Sequence, residues 1–227
     1  MATMAKAYKG MGMEGGIARW YDKTTRKDMP AFRELAAQIA SVAGAGGKVL
    51  EVAPGPGFFA VELAKLGDFH VTGLDISRTC VSIATINARE AGVKVKFLVG
   101  NASAMPFEDE SFDFIWCCAA FKNFSEPVKA LDEMHRVLRP GGAATIVDLR
   151  KDVSLDEIND YMRKSGRSRV DSWLTSMMFK HMLLKRAYTG DDFLGMAHES
   201  RFGGCELNAN AIGYEVRFSR AAEPVAA

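Results

Sequence analysis

Two sets of residues in this chain are typed and spaced to hold a charged ligand. One is the run Glu51-Val52-Ala53-Pro54-Gly55-Pro56-Gly57, and the other is Asp75, which follows it. Gly55-Pro56-Gly57-Phe58-Phe59-Ala60 fits the dinucleotide fingerprint G-x-G-x-x-A, and Asp75 lies at a plausible separation for a ribose. A diphosphate, however, is bound by backbone N–H groups at a helix N-terminus. Pro54 and Pro56 each delete one such donor. Glu51 also places negative charge at the mouth of the loop, where a diphosphate is repelled. The chemistry that suits these residues is retention of a cationic, phosphate-free cofactor whose ribose diol meets a carboxylate.

The elements around them alternate between two periodicities. Pro30 opens a helix in which Phe32, Leu35, Ala36 and Ile39 recur at helical spacing, stopped by glycines between 44 and 47. Strands are expected at residues 49–52, 70–76, 95–99, 112–118 and 143–149. Helices are expected around Phe59, Leu63 and Leu66, then over 81–91 and 127–138. Strand–helix alternation of this kind implies βαβ units and a parallel sheet covered on both faces. Beyond Leu149 no strand is expected until a closing hairpin, 206–212 and 214–220, around Gly213. Thr189 or Asp191 is a candidate cap for a short helix through Ala197. The fold class is therefore α/β: a doubly wound, Rossmann-like, mostly parallel seven-stranded sheet with a helical insertion before the last two strands. The expected organisation is an arm over 1–28, a core over 29–150, a helical acceptor-site insertion over 151–200 and closing strands over 201–227. Residues 1–16 read as mobile, with Trp20 and Tyr21 ahead of the first helix.

These pieces resemble the class I S-adenosylmethionine-dependent methyltransferases, whose glycine loop reads E-x-G-x-G-x-G. Glu51, Gly55 and Gly57 match, and Ala53 stands where the family has glycine. Gly100-Asn101-Ala102-Ser103-Ala104-Met105-Pro106-Phe107 is similar to the family's G-D-A-x-x-L-P-F, with Asn101 in the aspartate's place. Ser111-Phe112-Asp113 and Arg139-Pro140-Gly141-Gly142 complete the set. The resemblance implies S-adenosylmethionine as cofactor and S-adenosylhomocysteine as product. It gives Asp75 the ribose hydroxyls, Ile76 an adenine contact and Asn101 the adenine amino group. Tyr21, Glu51, Ala53, Pro54, Gly55, Gly57, Ala102 and Cys118 complete the expected cofactor shell. Met11, Met13 and Ile17 are expected to fold over it.

A methyl group on a sulfonium is already electrophilic, so catalysis is mainly placement of the acceptor, worth effective molarities of roughly 10⁵–10⁸ M in favourable cases. Cys117-Cys118-Ala119-Ala120-Phe121-Lys122-Asn123-Phe124 resembles the ubiquinone/menaquinone C-methyltransferase branch, which reads F-G-L-R-N-V there. Lys122 falls at the arginine and Asn123 at the asparagine, making them the candidate catalytic pair. A cation there would lower the pKa of a phenol or enol acceptor. Cys118-Ala119-Ala120-Phe121 does not resemble the Asn/Asp-Pro-Pro-aromatic tetrad of DNA amino-methyltransferases. Among the histidines, His135 reads as a packed edge residue and His70 as remote from the binding edge. His181 and His198 lie in or near the insertion. The Met-rich amphipathic segment 173–184 suits an irregular apolar ligand, with a lid or core helix, a membrane-surface contact and a homodimer contact as its other readings.

Composition narrows the classes further. The chain has 227 residues, a net charge of +1, 48% hydrophobic and 25% charged side chains, as in an ordinary globular protein. No apolar run is long enough for stable membrane insertion, and no basic run favours a nucleic acid partner. The four cysteines show no metal-ligand spacing, so no metal is expected, and they read as reduced thiols of a cytoplasmic protein. The expected activity is methyl transfer to an O, N or C atom of a small, partly apolar metabolite, aromatic or quinone-like. The rivals are an NAD(P)-dependent oxidoreductase using the same glycines, and a non-catalytic binding protein on the same fold.

Overall fold

The computed structural model describes residues 8–9, 12–44, 46–164 and 184–222. Seven strands form one sheet: β1 Lys48–Val52, β2 His70–Asp75, β3 Lys96–Val99, β4 Phe112–Cys118, β5 Leu138–Leu149, β6 Glu206–Ala209 and β7 Gly213–Ser219. Their order is β3-β2-β1-β4-β5-β7-β6, with β1 to β5 parallel and β7 antiparallel to both its neighbours. The chain winds outward from β1 in one direction and from β4 in the other. The β1–β4 boundary is therefore the switch point, where an open sheet leaves a crevice beyond its carboxyl ends.

The described helices are α1 Gly15–Thr25, α2 Met29–Ala43, α3 Phe58–Ala64, α4 Arg78–Glu90, α5 Pro127–Val137, α6 Leu155–Lys164 and α7 Gly190–Glu199. They cover both faces. On one side Ala36 and Ile39 of α2 and Phe59, Ala60 and Leu63 of α3 meet Val49, Val71, Phe114 and Trp116 of the sheet. On the other, Ala130, Leu131, Met134 and Val137 of α5 and Phe193 and Ala197 of α7 meet Leu50, Val52, Ile115, Cys117 and Ile146. The alternation of Phe114 and Trp116 against Ile115 and Cys117 is the two-residue period of a strand buried on both faces. It explains why the central strands read as unbroken apolar runs. In β7, Tyr214, Val216 and Phe218 are buried, whereas Arg217 and Ser219 face solvent, so the last hairpin alternates instead.

Several boundaries move. β5 begins at Leu138 rather than Ala143, with a register irregularity against β4 where the chain turns through Gly141 at φ 80°. β6 stops at Ala209, because the Asn210 side chain accepts from the backbone N–H groups of Ile212 and Gly213 and closes the hairpin turn. Thr189 caps α7 in a reciprocal capping box with Asp192, as its position suggested.

The larger corrections concern the ends of the core. Trp20 and Tyr21 do not precede the first helix; they lie within α1. Two glycines at its start and few apolar residues hid this helix, which is held by packing on α4 rather than by propensity. Nor is the 12–16 stretch a free arm. Glu14 accepts from the backbone N–H groups of Arg78 and Thr79, and the Met13 carbonyl accepts from the Ser77 hydroxyl. Of the segment 151–200, residues 165–183, including His181 and most of the Met-rich stretch, lie outside the described residues, as does Met11. α7 belongs to the main core instead of to an insertion on its rim, since Phe193 and Ala197 are fully buried there. Phe193→Ala should consequently cost about 3–5 kcal/mol of stability in urea unfolding. A loss of a few tenths would return α7 to the periphery.

Candidate functional site

Strand β1 ends just before Ala53 and its neighbour β4 just before Ala119, and both alanines turn the chain away from the sheet in the left-handed region, at φ 58° and 57°. Each still donates one ladder bond before it turns, Ala53 to Leu74 and Ala119 to Val147. A non-glycine residue pays about 1–2 kcal/mol for this conformation. Two such residues at the switch point mark the crevice floor as shaped under constraint.

The glycine loop follows Ala53. Gly57 caps α3 at φ 76°, and a Cβ there would lie 2.7 Å from the Phe97 ring and 2.8 Å from Ala84, so only glycine fits. Glu51, buried in β1, accepts a hydrogen bond from the Ala60 N–H at 3.1 Å. Its carboxylate therefore already sits on the first turn of α3, the place a phosphate would take. Asp75, at the end of β2, accepts from Gly55 N–H at 3.0 Å and Ser77 N–H at 2.8 Å, one bond on each oxygen. Burial lifts Glu51 to about 8, against the Ala60 hydrogen bond and with help from Asp75. Burial likewise lifts Asp75 to about 6, against the amides of Ser77 and Gly55.

α1 closes this loop from above. The Tyr21 ring lies 3.5 Å from where a Gly55 side chain would begin, and burial raises its phenol to about 12. Asn87 of α4, itself buried, ties three parts together: it donates to Asp22 of α1 and to the Pro56 carbonyl, and accepts from Arg26. Pro54 is buried and its carbonyl accepts from Gly57 N–H, while Ile76 is half-buried beside Asp75. Cys118 stands at the end of β4, its thiol raised to about 12 by burial, then by Asp148 and Glu51. The expected shell of Tyr21, Glu51, Ala53, Pro54, Gly55, Gly57, Asp75, Ile76 and Cys118 thus gathers along one edge of the sheet.

Asn101 and Ala102 come to the same edge at the end of β3, with a difference. The Asn101 side-chain oxygen accepts from Ser103 N–H at 3.0 Å, which folds it into its own loop. One of its two lone pairs is spent there, and one is left for an adenine amino group.

Lys122 departs furthest from expectation. It is neither solvated nor an uncompensated cation. Its Nζ lies 2.8 Å from the Asp148 carboxylate and donates to the Ala119 carbonyl at 2.5 Å, with both side chains of the pair at most 5% exposed. Asp148 also accepts from the backbone N–H groups of Lys122 and Leu149. The buried pair pins the turn at Ala119, and the positive charge assigned to an acceptor is already neutralised. Asn123 is buried in the same turn, its side chain 3.4 Å from Arg186 and its carbonyl accepting from Lys9 N–H. Asp148, an acid at the carboxyl end of β5, was legible as a candidate by position alone. Glu14 and Lys9 carried no sequence signal. His135 packs edge-on against Phe202, and His70 and His198 are exposed away from the loop.

Comparison with known proteins agrees with this geometry. Residues 50–146 match the family model described as a methyltransferase domain. A demethylmenaquinone methyltransferase of Chlorobaculum tepidum is 39% identical over 101 residues, which is 44% of this chain and 40% of that protein. An O-methyltransferase of Aspergillus nomiae is 35% identical over 120 residues, 52% of each chain. The chain therefore spans about half or less of the length of these relatives. Among solved structures, one assigned as an S-adenosyl-L-methionine-dependent methyltransferase from Methanococcus maripaludis superposes with a TM-score of 0.74. It covers 96% of this chain and 98% of its own at 20% identity. A [4+2]-cyclase shares the fold at a TM-score of 0.56 and 22% identity, covering 84% of this chain and 81% of its own. Residues 50–146, under half of the chain, are thus similar to a methyltransferase domain, and the chain shares the fold of the solved methyltransferase structure.

Proposed function

We propose that the chain binds S-adenosylmethionine at the β1–β4 crevice and transfers its methyl group to a small, partly apolar metabolite, in a reducing, cytoplasmic setting suited to four free thiols. The observation that carries this reading is the occupation of the loop's amides by carboxylates. Glu51 fills the first turn of α3, and Asp75 holds Gly55 and Ser77. A diphosphate would find these donors taken and the charge wrong, which disfavours a nicotinamide cofactor. A cationic ligand instead draws these buried carboxyls toward their ionised form. Asp75 keeps a lone pair on each oxygen, which suits the two hydroxyls of a ribose. When bound, the cofactor supplies an electrophilic methyl group. The protein supplies orientation through the loop, exclusion of water by α1 and Tyr21, and a fixed turn at Ala119 held by Lys122 and Asp148. Lys122 acts on this account as a positioning residue. The acceptor end of the site lies beside Asn123, Arg186 and Tyr188, so the acceptor role of segment 151–200 rests on its 184–189 part.

Calorimetry tests the first step. S-adenosylmethionine and S-adenosylhomocysteine should bind saturably, and no binding of either at millimolar concentration retires the proposal. Glu51→Gln keeps a hydrogen-bond acceptor for Ala60 but removes the charge. S-adenosylmethionine should then bind roughly 10- to 100-fold more weakly, charged hydrogen bonds being worth about 1.5–3 kcal/mol. Asp75→Ala should weaken both ligands, because the ribose is common to them. Full affinity in that variant removes Asp75 from its role.

The raised carboxyls also fix the pH dependence. Between the unfolded value of 4.5 and about 8, native Glu51 holds a proton that the unfolded chain has lost. Its contribution to stability therefore falls as pH rises through that window. Asp75 acts in the same sense between 3.8 and about 6. Both carboxyls thus make the ligand-free chain more stable toward the acid side of neutrality. The sulfonium ligand prefers ionised carboxylates, so its affinity should rise from pH 5.5 toward 8, and more steeply than that of S-adenosylhomocysteine, which lacks the sulfonium charge. Paired melting and calorimetric titrations across that range check both slopes. An affinity for the cation that improved on acidification would contradict the assignment.

A further inference from the structure

The buried face of α4 carries an asparagine, Asn87, among Cys80, Ala84 and Ala88. Asparagine is a poor helix former, and a buried amide is costly unless its polar atoms are paired. Here the pairing fixes the amide in one orientation. Its nitrogen donates to the Pro56 carbonyl at 2.9 Å and to the Asp22 carboxylate at 3.2 Å, and its oxygen accepts from Arg26 at 2.9 Å. Turned over, the amide would set oxygen against oxygen and its own N–H groups against a guanidinium.

These bonds continue into the glycine loop. A peptide unit is rigid, so one bond at its carbonyl and one at its N–H hold a single plane from both ends. The Pro56 carbonyl and the Gly57 N–H share such a unit, and Gly57 N–H donates to the Pro54 carbonyl at 2.9 Å. The Pro54 carbonyl and the Gly55 N–H share another, and Gly55 N–H donates to Asp75 at 3.0 Å. The two prolines have no N–H to branch the series. Every donor in it points the same way, from the Arg26 guanidinium through Asn87 and two peptide units to the Asp75 carboxyl. Hydrogen bonds aligned in this manner polarise one another. Arg26 is itself seated over the Phe58 ring, 5.1 Å from its centre, at the far end of the loop. Ser77 N–H, on the other Asp75 oxygen at 2.8 Å, stands outside the series.

We infer that Asn87 is a positioning residue of the cofactor site: it couples the seating of α1, through Asp22 and Arg26, to the shape of the glycine loop and to the Asp75 oxygen that Gly55 holds. This rests on the methyl-transfer reading only for the identity of the ligand. Among the described residues Ala18 alone of α1 is buried, so polar bonds of this kind carry much of the helix's attachment. Docking of α1 and binding of the cofactor then favour each other, because each stiffens the same two peptide units.

The test uses the full chain and two readouts, S-adenosylhomocysteine binding by calorimetry and the amide proton resonances of Gly55 and Ser77. Arg26→Gln removes the cation from a half-exposed side chain, and Asn87→Ala removes the link. Each should weaken S-adenosylhomocysteine roughly three- to tenfold, the range of one net hydrogen bond. Each should also move the Gly55 amide proton upfield, toward a weaker bond, while Ser77, on the same carboxyl, keeps its position. Asn87→Asp, equal in size but unable to donate, should bind no better than Asn87→Ala. Wild-type affinity in either Arg26→Gln or Asn87→Ala, or Gly55 and Ser77 shifting together, would overturn the inference. Should Asn87→Ala not fold, Arg26→Gln decides alone. Failure of the unaltered chain to bind S-adenosylhomocysteine would strike the methyl-transfer reading instead, and the Gly55 signature in the ligand-free chain would still decide the coupling.

Discussion

Two carboxylates buried side by side beneath a glycine loop are the constraint on which the rest of this edge depends. Glu51 and Asp75 each raise the cost of ionising, and each is satisfied by backbone amides rather than by an arginine or lysine. The loop must therefore bend so that Gly55, Ser77 and Ala60 present their N–H groups to those acids. The bend demands a left-handed Gly57 pressed against Phe97 and Ala84. Burial without a countercharge stores free energy that a cation can release. The preference proposed for a positive, phosphate-free ligand is thus a matter of solvation, set before any ligand arrives.

The second fixed point is the turn after β4. Ala119 holds an unfavourable backbone geometry, and the Lys122–Asp148 pair holds Ala119. Removing one partner of such a pair typically costs about 3–5 kcal/mol because the other charge is stranded. The pair is neutral as a unit.

Much of this was legible in the residues. β4 was delimited to the residue by its apolar run between Ser111 and Ala119, and the sheet class followed from strand–helix alternation. Glu51, Gly55, Gly57 and Asp75 lie together at the loop, as their type, spacing and strand-end position suggested. α1 was missed because its helical state comes from docking on α4, a tertiary gain that Gly15-Gly16 argues against locally. The role of Lys122 was misjudged for a related reason. A lysine in a loop looks solvated or catalytic until its partner is known, and Asp148 lies 26 residues away on another strand. Contacts of long sequence separation, such as Arg186 to Asn123, leave no periodicity to read.

The cofactor edge and the acceptor edge also differ in how far the fold determines them. The same sheet serves a protein described as a [4+2]-cyclase, so the architecture fixes a crevice and not a reaction. What individualises this chain lies in the segments that cross the crevice mouth, and the cap that Glu14 places on α4 has a consequence for how it is made. The capping residue leaves the ribosome more than sixty positions ahead of the amides it serves, so the leading segment has nowhere to settle until two strands and their helices exist. During that interval Ile17 and Trp20, which stay partly exposed even in the finished molecule, are open to any hydrophobic surface nearby. The first helix described is therefore not the first to find its place.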